Sequence, residues 1–141
     1  MKRQMLLDTG PLVALIDRND RFHTWMKEIW ADIEPPTFTC EAVMTEACFL
    51  LRSLYGGKES AISLLRQGII QIPYDLSEDA QAVEEMMKRY SSVPMSLADA
   101  CLVRMTEMYP TSELLTLDSD FTIYRKNRNE QIAIIIPTAS R

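Results

Sequence analysis

Histidine is nearly absent: His23 is the one imidazole in 141 residues. That excludes a His-rich zinc site and leaves a single candidate for any Ser–His or Cys–His arrangement. His23 lies in a polar, charged stretch, which places it at the surface. Cysteine is also sparse. Cys40, Cys48 and Cys101 are odd in number and lack metal-ligand spacing, so they read as small buried residues of a reducing compartment. No apolar run approaches the ~18 residues needed to span a bilayer, which points away from a membrane protein. The apolar stretch after Met1-Lys2-Arg3-Gln4 is broken at Asp8 and does not read as a secretory signal, so a cytoplasmic location is expected. Positive charge is in deficit. A formal net charge of −5 argues against a nonspecific duplex-DNA binder with a broad basic face. It leaves room for a nuclease, because a cluster of metal-binding acids makes the total negative while local basic patches remain.

What is present is ordinary in bulk. An apolar share of 47% and a charged share of 25% are those of a globular chain, and the length suits one domain, 1–141. Short apolar runs at 5–7, 37–40, 69–72, 113–117 and 132–136 read as strands. Helical periodicity covers 10–17, 21–33, 41–54, 58–67, 78–90 and 97–108, with Ser77 as the cap of the 78–90 helix. Residues 118–124 read as a turn and 125–130 as a polar loop. Strands alternating with helices predict an α/β fold with a mainly parallel sheet and helices on both faces.

Four carboxylates stand out by position. Asp8 ends the run Met5-Leu6-Leu7, just before Gly10-Pro11 breaks the strand. The carboxyl end of a buried strand is where open α/β sheets bind ligands. Glu46 follows Val43 by three residues and precedes Leu50 by four, on or at the edge of its helix's core-facing stripe. Asp99 completes Ser96-Leu97-Ala98-Asp99, a capping pattern at a helix mouth. Asp118 ends the run Leu114-Leu115-Thr116-Leu117, and Asp120 follows. Read singly, each has a structural role that suffices: Asp8 as a helix cap, Glu46 as an edge residue reaching solvent, Asp99 as part of a capping box, Asp118 as a turn former. Read together, they meet at one end of one sheet. Close carboxylates repel by about 4 kcal/mol at ~4 Å and an effective dielectric of 20. A divalent cation removes that conflict, and all-oxygen ligation suits Mg²⁺ or Mn²⁺ over zinc.

In this order, Leu6-Leu7-Asp8-Thr9-Gly10-Pro11-Leu12, Val43-Met44-Thr45-Glu46-Ala47-Cys48, Leu97-Ala98-Asp99-Ala100-Cys101-Leu102-Val103 and Leu115-Thr116-Leu117-Asp118-Ser119-Asp120-Phe121 resemble the PIN-domain ribonucleases, and most closely the VapC-type toxins of bacterial toxin–antitoxin pairs. The resemblance runs from Met5 to about Ile136. It implies a PIN-like three-layer α/β/α fold and a metal-dependent endoribonuclease. Asp8, Glu46, Asp99 and Asp118 would be its catalytic and metal-binding acids, with Mg²⁺ or Mn²⁺ as cofactor. Asp8 and Asp99 would touch the metal directly, Glu46 would serve the attacking water and Asp118 a second metal position. Thr9 and Thr116 would orient ligands or water, with Asp120 a peripheral acid. It further implies an RNA substrate, a homodimer and a small antitoxin that blocks the site with a basic side chain. Ser96 departs from the family pattern, which often has another acid there.

Arg52, Arg66, Lys88, Arg89, Arg104, Arg125, Lys126 and Arg128 are candidate RNA contacts, with the loop Arg125-Lys126-Asn127-Arg128 the densest cluster. Three other readings stand beside this one. An aspartyl phosphotransferase or dehalogenase-like enzyme needs a second acid two residues after the first, and Gly10 occupies that position. A non-catalytic RNA- or protein-binding module of the same fold would bind RNA without turnover. A stand-alone RNA-processing nuclease would lack a neighbouring antitoxin.

Overall fold

A computed structural model describes residues 3–138. Met1 and Lys2, part of the basic start of the chain, lie outside the described residues. The centre of the molecule is β1 (Met5–Leu7), whose Leu6 and Leu7 have no solvent exposure. It pairs in parallel with β2 (Thr37–Phe38) on one side and β4 (Glu113–Leu115) on the other. The outer strands are β3 (Ile70–Gln71) beside β2 and β7 (Ile134–Ile135) beside β4. Among the described residues this sheet has five strands, all parallel, in the order β3-β2-β1-β4-β7. A strand covered on both faces must be apolar throughout, which is why 5–7 and 114–115 are unbroken apolar runs rather than alternating ones.

The order also fixes where a site can form. The chain steps outward from β1 to β2 to β3, then returns to β4 on the other side of β1. Right-handed crossovers in the two directions place their helices on opposite faces of the sheet. The reversal leaves a crevice at the carboxyl ends of β1 and β4. Helices α1 (Thr9–Ile16), α2 (His23–Asp32), α3 (Glu41–Leu50) and α4 (Gly57–Arg66) belong to the first direction, α5 (Leu76–Arg89) and α6 (Leu97–Met108) to the second. α1 packs on α2, α3 and α4, while α5 packs on α6. Arg104 of α6 ties the latter pair: its guanidinium donates to both carboxylate oxygens of Asp79 at 2.8 and 2.9 Å and to Glu107 at 2.6 Å. No helix among the described residues is long and apolar enough to cross a membrane.

Several sequence expectations are corrected at their edges. α3 ends at Leu50, not 54, because the chain tightens into successive turns with Arg52 N–H on the Phe49 carbonyl and Leu54 N–H on the Leu51 carbonyl. Leu51 is still buried and Leu54 half-buried there, so the apolar spacing continues after the helix stops. α5 is capped by Asp75, whose side chain accepts from Glu78 N–H at 3.3 Å, and Ser77 lies inside the first turn. The polar loop at 125–130 is the turn and rims of an antiparallel hairpin, β5 (Arg125–Lys126) with β6 (Glu130–Gln131). Asn127 and Arg128 take the positive φ values, 48° and 73°, that glycine would mark in a more legible hairpin. His23 is half-buried rather than superficial, and its Nδ1 donates to the Ala14 carbonyl at 2.7 Å, joining α1 to α2. The cysteines are free; Cys40 and Cys101 are buried and Cys48 half-buried.

Gly10 marks a close approach. A Cβ there would stand 3.0 Å from Leu117 Cδ1 and 3.2 Å from its Cβ and Cγ. Leu117 precedes Asp118, so the glycine lets the start of α1 sit against the exit of β4. Gly10→Ala is expected to cost about 1–3 kcal/mol through this overpacking, read by urea unfolding; an unchanged midpoint would show that Leu117 yields freely.

Candidate active site

Asp8 leaves β1 and caps α1 at once. Its Oδ1 accepts from Thr9 N–H at 2.7 Å, and its Oδ2 accepts from the Thr116 hydroxyl at 2.7 Å. The capping role and a place in a common acidic site are therefore one arrangement. The side chain is almost wholly buried. Burial pushes its carboxyl up from 3.8 to about 7, with the two hydrogen bonds opposing and the charges of Asp99 and Asp118 adding to the rise.

Thr116 links the two strand exits. Its hydroxyl oxygen accepts from Asp118 N–H at 2.9 Å while donating to Asp8. Asp118 then caps the 3₁₀ turn Ser119–Thr122, accepting from Asp120 N–H at 2.9 Å. Asp118 and Asp120 are both half-buried. Burial, then the neighbouring Asp118, raises the Asp120 carboxyl above its ordinary range.

Asp99 sits in the first turn of α6, where its backbone N–H donates to the Ser96 hydroxyl at 3.0 Å. The expected capping role of Ser96 is present. The Asp99 side chain turns elsewhere: Oδ2 accepts from the Tyr124 hydroxyl at 2.9 Å. Burial raises this carboxyl too; Asp118 and Glu46 add to the rise, and the hydrogen bonds from Tyr124 and Ser96 oppose it. Glu46 is exposed, on the edge of the stripe formed by Val43, Met44 and Ala47. Of its two sequence readings the edge position is the observed one, because the buried positions centre on 43 and 47 and leave 46 to one side. It nevertheless faces the common space, since α3 packs on α6.

The structure brings Asp8, Glu46, Asp99, Asp118 and Asp120 to the wall of one cleft of about 500 Å³, with Thr9, Gly10, Leu50, Pro94, Ser96 and Leu117 completing it. None of these lining residues carries a positive charge. Among the described residues, no three acidic, histidine or cysteine side chains are drawn together into a ready-made metal cage. The acids surround the cleft without closing on a point. The donor set is nonetheless all oxygen, burial raises the carboxyls of Asp8 and Asp99 with neighbouring acids adding to both, and the Thr9 hydroxyl is buried with no hydrogen-bond partner. This chemistry fits a hard divalent cation better than any soft one.

The candidate cations stand apart from the residues that line the cleft. Arg125 donates to the carbonyls of Thr122, Ile123 and Tyr124, and Lys126 donates to the Pro110 carbonyl. Asn127 N–H donates to Glu107. Lys126 and Asn127 thus dock at the C-terminal end of α6, where Glu107 lies eight residues and about 12 Å along the helix from Asp99. None of residues 125–128 is among those that line the cleft. Arg104 is committed to Asp79 and Glu107, and Lys88 stands 4.0 Å from Glu84. Arg52 lies over the Phe49 ring at 3.9 Å.

Tyr124 is the residue that sequence reasoning missed. It ends a turn and reads as one more core aromatic, and no spacing rule links it to Asp99 across 25 positions.

A model of the PIN domain family matches residues 5–127. No curated protein matches the chain in sequence. In three dimensions the chain is similar to Mycobacterium tuberculosis VapC20, a Sarcin-Ricin loop cleaving toxin, with a TM-score of 0.77 and 20% identity over 89% of this chain and 100% of that one. At that identity the likeness is one of fold.

Proposed function

The chain belongs to the PIN domain family, and from that premise we propose that it is a divalent-metal-dependent endoribonuclease of the VapC toxin type, with the whole of 1–141 as its one domain. The observation that carries this reading is the cleft at the β1/β4 switch point, walled by five carboxylates and by no cation.

Asp8 and Asp99 are the proposed metal ligands, being the two buried acids of the cleft, both with carboxyls raised by burial and by neighbouring acids. Thr116 fixes one oxygen of Asp8 and Thr9 N–H the other, so the carboxylate enters the cleft in one orientation. Mg²⁺ or Mn²⁺ bound there supplies neutralisation of phosphate charge and a bound water of lowered pKa. Glu46, exposed on the facing helix, is placed to orient the attacking water or to take its proton. Asp118, held by Asp120 N–H, would serve a second, weaker cation position. The substrate is RNA. A small antitoxin with a basic side chain suits a cleft whose walls are all acidic or neutral, and the resemblance adds a homodimer acting in the cytoplasm.

The test is incubation of the purified protein with a mixed RNA pool in Mg²⁺ or Mn²⁺ and, in parallel, in EDTA. Cleavage confined to the metal-containing reactions is expected. Cleavage undiminished by EDTA would contradict the metal-dependent reading, and RNA binding without turnover in either metal would favour a binding module.

A further inference from the structure

Asp99 is gripped from two sides. Ser96 is on the exposed side, where its hydroxyl meets the Asp99 backbone. On the core side is Tyr124, fully buried just past the 3₁₀ turn Ser119–Thr122. Its ring stands edge-on to Tyr90 at 5.1 Å and to Phe121 at 5.3 Å. Packing of that kind needs only an aromatic ring, and phenylalanine would satisfy it. The hydroxyl is the part that packing does not explain. A buried O–H requires an acceptor, and this one takes a carboxylate oxygen on the cleft wall.

Resting on the metal-dependent reading above, we infer that Tyr124 is a positioning residue for Asp99: its hydroxyl pins Oδ2 from the core side and so fixes the carboxylate at the cleft wall. Partners that hold a ligating carboxylate in place matter to metal affinity nearly as much as the ligand itself. Tyr90 offers an internal control. It belongs to the same aromatic cluster and its hydroxyl also makes a hydrogen bond, accepting from Arg125 N–H at 2.9 Å, yet it touches no acid of the cleft.

The experiment is calorimetric titration of the full chain with Mn²⁺ alone, for wild type, Tyr124→Phe and Tyr90→Phe, with a thermal melt of each. Tyr124→Phe is expected to weaken Mn²⁺ binding about 10- to 100-fold. Tyr90→Phe is expected to lower the melting temperature and leave Mn²⁺ affinity within about twofold of wild type, as a hydroxyl remote from the ligands should. Wild-type affinity in Tyr124→Phe would overturn the inference, and so would an equal loss in both variants, since the effect would then travel through packing. A wild type that binds no Mn²⁺ would overturn the metal-dependent reading and the inference with it, and is read from its own titration. A second reading comes from the Asp99→Asn background, where removing the hydroxyl should cause no further loss of Mn²⁺ affinity; a further loss there contradicts a role exerted through Asp99.

Discussion

Asp8→Asn makes the metal-free protein more stable above neutral pH, although it removes the side chain on which the site centres. The Asp8 carboxyl stands at about 7 in the folded chain against 3.8 for the ordinary group. A carboxyl raised by folding contributes its full stability below about pH 4, where both states are protonated. That stability is lost as the pH rises through about 7, because the unfolded chain ionises first. The loss amounts to about 4 kcal/mol at about 1.4 kcal/mol per pH unit. Asparagine does not ionise and escapes it. It has one acceptor oxygen where Asp8 uses two, so a hydrogen bond to Thr9 N–H or Thr116 is given up, at about 1–1.5 kcal/mol. The net expectation is a gain of about 2–3 kcal/mol at about pH 8 that vanishes or reverses at about pH 4. Urea unfolding of both proteins in EDTA at the two pH values checks it. A variant less stable than wild type at both would show that Asp8 ionises in the fold without penalty.

The same carboxyl ties cation binding to pH. A metal must displace the Asp8 proton wherever that proton is bound. With the carboxyl at about 7, apparent Mn²⁺ affinity should be about tenfold weaker at about pH 6 than at about pH 8. Asp99, raised in the same direction by burial and by Asp118, steepens the dependence. Titration calorimetry at the two pH values, in buffers of different ionisation enthalpy, should also show proton release on binding at the lower pH. Equal affinity with no proton release would mean that the cation does not contact Asp8.

Much of this arrangement is legible in the amino-acid sequence. The parallel sheet followed from apolar runs alternating with helical periodicity. The positions of Asp8 and Asp118 followed from runs that end on acids, because β1 and β4 are adjacent, buried and exit on the same side. Asp99 was legible through Ser96, since a cap at that spacing has a recognisable signature. The less legible parts depend on contacts without a local pattern. Whether Glu46 faced core or solvent turns on a fraction of a helical turn, and spacing from Val43 and Leu50 could not decide it. The 125–131 hairpin lacks the glycine that advertises a tight turn, because Asn127 and Arg128 take the positive φ values themselves. Lys126 and Asn127 are near Asp118 in sequence but are carried to Pro110 and Glu107, which only the chain's path reveals. Tyr124 was hidden for the same reason, its partner lying a helix and a strand away.

The central claim is that the buried carboxylates of one cleft make this chain a nuclease. It is tested most directly by RNA-pool cleavage in Mn²⁺ by wild type, Asp8→Asn and Asp99→Asn, purified identically. Both substitutions are expected to reduce the rate at least about 10³-fold, equivalent to about 4 kcal/mol of transition-state stabilisation, in proteins that remain folded. Cleavage by either variant at the wild-type rate would place the activity outside the cleft and contradict the account.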